Sequence, residues 1–164
     1  MPMHQPTTAY KKIGKITKKP VKLTENQREQ WLELLLEVTG GGIYEHSIPL
    51  DENTYHSERW ANILGYRLDE LPSYNTFLDW LFERIHPDDR DYINDEYQDF
   101  IEGRTPTYDV EIHLRHKNGQ WIFVRSVSKV LERTTDGRVR RLIGIMFDLT
   151  EEKQAKAVIS QLQS

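Results

Sequence analysis

Between residues 107 and 150 the hydrophobic pattern leaves little choice but a run of consecutive antiparallel strands. Tyr108, Val110, Ile112 and Leu114 alternate with Asp109, Glu111, His113 and Arg115. That period of two buries one face of a strand and wets the other. Asn118-Gly119 follows, a strong two-residue hairpin signal. Residues 121–133 and 142–149 carry apolar residues on both faces, as central strands do, with Thr135-Asp136-Gly137 turning the chain between them. The last strand runs through Phe147-Asp148-Leu149-Thr150 straight into a helical tail, residues 151–164. Strand-to-helix continuity makes any change in the sheet available to whatever the helix leads to.

The upstream half supplies helices. Thr24 with Gln27 three residues on forms a capping box, and Trp31, Leu34, Leu35 and Val38 recur at helical spacing. Leu32 and Leu36 widen this face to about half the circumference, more than one sheet requires, which implies a second partner. The sheet has more apolar surface than one layer of helices can use, so this helix is expected to cover it. Gly40-Gly41-Gly42 ends the helix. Residues 42–48 and 53–56 read as a short hairpin. Ser57 caps a helix bearing Trp60, Ile63 and Leu64. Thr76 with Asp79 is a further capping pair, and the segment 77–85, apolar nearly all round, is expected to be buried. Pro87, Asp88 and Asp89 start a helix to about Glu102, with Ile93, Tyr97, Phe100 and Ile101 on one face.

Charge and composition exclude several functions. Residues 1–23 hold six lysines and no acid, while the remainder holds 16 basic and 26 acidic residues, a balance of −10. An acidic body is a poor nucleic-acid surface, so no nucleic-acid partner is expected. The basic segment is read as flexible and solvated, with anionic lipid or nucleic-acid contact as the alternative. No apolar run reaches the length of a membrane span. With no cysteine there is no disulfide, thiolate nucleophile or thiolate metal site, which suits a cytoplasmic location.

Several motifs fall in a familiar order. They are Gly42-Ile43-Tyr44-Glu45, Ser57-Glu58-Arg59-Trp60 through Leu64-Gly65-Tyr66, and Ile85-His86-Pro87-Asp88-Asp89-Arg90. Residues 111–115, Asn118-Gly119-Gln120-Trp121-Ile122, Asp136-Gly137, Leu142-Ile143-Gly144 and Asp148-Leu149-Thr150 complete the series. In combination they resemble the PAS fold with its PAC motif, the subclass common in bacterial sensor histidine kinases and diguanylate cyclases. The resemblance implies an α+β fold: a five-stranded antiparallel sheet, short helices on one face, and flanking N- and C-terminal helices. It divides the chain into a basic segment 1–23, a flanking helix 24–39, a PAS core 40–150 and a signalling helix 151–164. Family members often carry Trp-Glu-Trp-Asp in the first strand, where this chain has Tyr44-Glu45-His46-Ser47, and the first hairpin is longer here.

The implied function is sensory and regulatory rather than enzymatic: a dimerising module of a signal-transduction (two-component or cyclic-dinucleotide) protein. No catalytic residue is assigned. Asp148, Leu149 and Thr150 match the family's signal-relay triplet, with Thr150 as helix N-cap and Arg125 as a guessed partner for Asp148. Carried over from the family, the ligand pocket would be lined by Trp80, Ile93, Tyr97, Tyr108, Val110, Ile112, Ile143 and Ile145; a filled core is the alternative. Trp31, Leu32, Leu35 and Leu36 are the expected homodimer face, and an output domain is expected beyond the C-terminal helix. A cysteine-adduct flavin is excluded. Haem is disfavoured because residues 88–102 contain no histidine. A noncovalent flavin, a small metabolite or no ligand remain open, so a redox or gas sensor is the alternative function. His46 and His56 lie nearly symmetric about Asp51 and are placed to face each other across the first hairpin. Two histidines with Glu45 or Glu58 make a weak metal set, and no metal is assigned. His86-Pro87-Asp88-Asp89 is read as helix initiation rather than chemistry.

Overall fold

The computed structural model describes residues 22–164. The basic segment assigned to residues 1–23 lies outside them apart from its last two residues. Helix α1 (Glu25–Thr39) opens with the expected capping box: the Gln27 backbone N–H donates to Thr24 Oγ1 and that of Thr24 to Gln27 Oε1. None of its residues is buried. Leu34, Leu35 and Val38 in its C-terminal half are more than half exposed, so these residues do not provide the expected cover for the sheet.

After β1 (Gly42–Ser47) and β2 (Tyr55–His56) come α2 (Glu58–Ile63), α3 (Tyr74–Glu83) and α4 (Arg90–Ile101), with single 3-10 turns at Leu68–Glu70 and Pro87–Asp89. Then follow β3 (Tyr108–Arg115), β4 (Trp121–Arg133), β5 (Val139–Asp148) and α5 (Thr150–Gln163). The strands form one antiparallel sheet in the order β2-β1-β5-β4-β3. The chain's last strand therefore sits at the centre, between the first strand and the β3–β4 hairpin that Asn118-Gly119 closes.

Helices α2, α3 and α4 pack on one face. Ser57 Oγ accepts from the Trp60 backbone N–H, capping α2, and from that of Ile43, tying the helix start to β1. Gly42 is what lets α2 come so close: a Cβ there would lie 2.4 Å from Trp60 Cα. Phe77, Phe100, Leu64, Leu142, Val110 and Val124 are almost wholly buried between the layers. Each contributes roughly 1.5–3 kcal/mol relative to an exposed position.

Three local expectations need correction. Helix α3 starts at Tyr74, after Ser73, rather than behind a Thr76 cap. Segment 77–85 is not buried all round: Phe77 and Ile85 are, but Leu78 and Phe82 stand 39% and 42% exposed. Thr150 is not the N-cap of α5 but its first helical residue; the cap position is Leu149, and the Asp148 side chain accepts from the Thr150 backbone N–H at 2.9 Å.

Candidate functional site

Leu78 and Phe82 are exposed because they rim a cavity of about 410 Å³ between α3, α4 and the inner face of the sheet. Ile93, Tyr97, Tyr108 and Ile112 stand around it. Trp80, Val110, Ile143 and Ile145 do not. Trp80 packs edge-on to Tyr66 at 5.3 Å, and its face carries the Arg84 guanidinium 3.9 Å away. Val110 is buried in the core. Ile143 and Ile145 point to the opposite face of the sheet; Leu142 and Met146 are the β5 residues that line the cavity.

The inner face holds a polar cluster that the sequence reading missed. In register, Tyr44 of β1 faces Gly144 of β5, which faces Ser128 of β4. Gly144 has no side chain, so the Tyr44 ring lies across it; a Cβ there would sit 2.1 Å from the ring's Cζ. The Tyr44 hydroxyl thereby reaches over a whole strand to Ser126 Oγ at 2.7 Å and Ser128 Oγ at 2.5 Å. All three residues are buried. The signal that could have found this contact was a lone glycine inside an otherwise apolar strand. Burial raises the Tyr44 hydroxyl above its ordinary pKa despite the two serine hydrogen bonds. Burial also pushes Tyr97 up to about 12 and raises Tyr108. The Tyr97 and Tyr108 rings meet edge to face at 6.0 Å.

At the β1–β2 edge, His46 and His56 do face each other, with Nε2 atoms 3.0 Å apart. Both are buried, His56 between Trp60 at 4.4 Å and Phe77 at 4.3 Å between centroids. Burial drives His46 down to about 4; burial, then the charge of His46, drives His56 to about 3. Both rings are therefore neutral at pH 7, and one Nε2 donates to the other. Among the described residues no cluster of three or more His, Asp or Glu side chains is placed to hold a metal.

At the other end, β5 meets α5. The Leu149 backbone N–H donates to Phe123 O at 2.8 Å. The Phe123 N–H donates to Thr150 Oγ1 at 3.0 Å, and that hydroxyl donates to Asp148 Oδ1 at 2.5 Å. The Asp148 carboxylate thus serves the junction itself and not Arg125, which makes a two-point pair with Asp109 at 2.9 and 2.7 Å. One turn on, the Lys153 ammonium lies 3.8 Å above the Phe123 ring and 2.9 Å from His113 Nε2. His113 Nδ1 lies 3.1 Å from Asp89 Oδ2, which also accepts from the His113 backbone N–H. With Lys153 donating to Nε2, the imidazole proton sits on Nδ1 and is shared with Asp89. Burial works to raise the Asp89 carboxyl, but the His113 hydrogen bonds outweigh it and hold it below the usual range. In His86-Pro87-Asp88-Asp89, His86 Nδ1 caps the turn by accepting from the Asp88 N–H, which leaves Asp89 free to cross to β3. The start of α4, the edge strand and the first turn of α5 are therefore joined side chain to side chain.

A family model described as the PAS fold matches residues 53–146. The chain belongs to the PAS-fold family. It is 32% identical over 105 residues, 63% of its length, to the sensor protein FixL of Bradyrhizobium diazoefficiens, and it spans 19% of that relative's length. Among solved structures it is similar to a sensory box histidine kinase/response regulator from Burkholderia thailandensis, with a TM-score of 0.64 and 25% identity over 80% of this chain and 94% of that one. The N-terminal domain of a diguanylate cyclase with a PAS/PAC sensor from Marinobacter aquaeolei shares the fold, with a TM-score of 0.54 and 23% identity over 69% of this chain and 98% of that one. No helix among the described residues is long and apolar enough to cross a membrane.

Proposed function

We propose that this chain is a non-catalytic sensory module in which occupancy of the cavity is passed through β5 to α5 and on to an output domain, a histidine kinase or a diguanylate cyclase. The observation that carries this reading is that one strand does both jobs. Leu142 and Met146 line the cavity, and two residues beyond Met146 the same strand delivers Asp148 to the α5 junction. Coupling between two sites travels through contiguous hydrogen-bonded and packed elements, and β5, hydrogen-bonded on both sides, is such an element. A displacement at Met146 is therefore transmitted to the Phe123–Thr150 bond. Asp148, Leu149 and Thr150 act here as the relay.

The relay delivers its signal through a pair of helices from two copies. In α5, Val158, Ile159 and Leu162 are 55%, 53% and 80% exposed; in α1, Trp31, Leu32 and Leu35 are more than half exposed. A helix of α5's length is marginal alone and gains its stability from a packed partner. The test of the input step is Met146→Phe, which fills the cavity from β5. Backbone amide resonances of residues 150–153 are expected to shift more than those of β2. If the α5 resonances stay in place while the cavity methyls move, the cavity is not the input site.

A further inference from the structure

We propose that the cavity takes an uncharged, mostly apolar molecule carrying a hydrogen-bond-accepting oxygen, of which an aryl ketone is the simplest case; this rests on reading the cavity as the input site. The argument is one of charge and proton inventory. No lysine or arginine among the described residues lines the cavity. The one carboxylate is Asp79, on the exposed rim formed by α3. His46 is neutral at pH 7, since burial drives it to about 4. A carboxylate or phosphate brought inside would lose its water with no cation to meet and with Asp79 as the one charge on the rim, which disfavours it strongly. An ammonium would find no buried acid.

Hydrogen-bond donors, by contrast, are in surplus. The cluster of Tyr44, Ser126 and Ser128 has three hydroxyl protons and two internal contacts, leaving one to give. Tyr97 and Tyr108 border the same space, and neither hydroxyl bonds to another side chain among the described residues. With all three phenols raised above their ordinary pKa, each keeps its proton; Tyr97 and Tyr108 can offer theirs directly, and the Tyr44 cluster has its one spare proton to give. A ligand that fills the cavity cuts these hydroxyls off from solvent, so one that supplies acceptor oxygens gains over one that leaves them unpaired. Apart from the amides of Asn94 and Gln98 on the exposed rim formed by α4, the rest of the wall, with Ile93, Phe100, Ile112, Leu114, Leu142 and Met146, is apolar. The volume lies in the lower part of the range for small-molecule sites.

The test is a matched series, 4-methylacetophenone, 4-methylbenzoate and 4-ethyltoluene, titrated at pH 7 against the chain and followed by the methyl resonances of Met146 and Ile112. The ketone is expected to bind at least about tenfold tighter than the carboxylate and several-fold tighter than the hydrocarbon, about 1.4 kcal/mol per factor of ten. Tyr97→Phe and Tyr108→Phe, folded as judged by unchanged thermal unfolding, are expected to erase most of the ketone's advantage over the hydrocarbon while leaving hydrocarbon binding intact. Carboxylate binding equal to or tighter than ketone binding would overturn the ligand class and leave the input-site reading standing. Equal loss of ketone and hydrocarbon binding in both variants would overturn the donor argument. If none of the three moves the cavity methyls, the ligand class and the input-site reading fall together.

Discussion

The two flanks of the sheet use histidine in opposite ways. At the β2–β1 flank, His46 and His56 are sealed under Trp60 and Phe77 and satisfy only each other. At the β4–β3 flank, His113 is partly exposed and links Asp89 of the 3-10 turn before α4 to Lys153 of α5. The first arrangement closes the molecule; the second leaves it connected to an element that continues away from the sheet. The same side chain is a plug where water is excluded and a connector where charged partners meet it. The difference lies in what the neighbouring elements supply: aromatic rings from α2 and α3 in one case, a carboxylate and an ammonium in the other.

The sharpest way to break this contrast is acid. The sealed pair has folded pKa values of about 4 and 3 against about 6.5 when unfolded, so the unfolded chain binds more protons between those limits. Stability is therefore expected to be full above pH 6.5 and to fall by on the order of a few kcal/mol by pH 4, as urea unfolding at stepped pH would record. A His46→Phe/His56→Phe double variant should flatten that window; an equally steep wild-type-like profile would mean the loss comes from elsewhere. The stabilisation from Asp89 and Asp109, whose pKa values are lowered, is present above the ordinary carboxylate pKa and is lost only as pH falls below it.

Next in size is the glycine that lets the Tyr44 ring pass. Gly144→Ala puts a methyl into that ring and separates its hydroxyl from Ser126 and Ser128, an expected loss of about 2–3 kcal/mol in chemical denaturation. At the connected flank the effects are smaller and local. Asp148→Ala removes the acceptor for the Thr150 N–H and hydroxyl, with an expected loss of about 1 kcal/mol and faster amide exchange at Phe123. Lys153→Ala removes the contact over Phe123 and the bond to His113 for about 0.5–1 kcal/mol. Its exchange effect should stop at α5 and leave the His46–His56 flank unchanged; a response at β2 would show that the flanks are not independent.

Much of this architecture was legible because alternation is written residue by residue in β3, where the buried and wet faces differ in polarity. The facing of His46 and His56 followed from their symmetry about the turn. Strand β5 was harder for a physical reason. It is apolar on both faces, so alternation alone does not say which set points inward, and the lining carried over from the family names Ile143 and Ile145 where the structure has Leu142 and Met146. Gly144, on the same face as the latter pair, held the answer. The pairing of Arg125 with Asp109 depends on register between β3 and β4, which no spacing within one strand reveals. The bridge from Asp89 through His113 to Lys153 joins residues far apart in sequence through the layering of the fold, and no local pattern announces it.

The central claim is that the cavity and α5 are coupled through β5 and Asp148. Amide hydrogen exchange at Phe123, Leu149 and Lys153, compared among wild type, Met146→Phe, Asp148→Ala and the double variant, tests it directly. The account predicts that filling the cavity changes exchange at these three amides by at least about threefold, and that the change disappears when Asp148 is absent, the signature of a coupled pair. No change on filling the cavity, or the same change with and without Asp148, would contradict it.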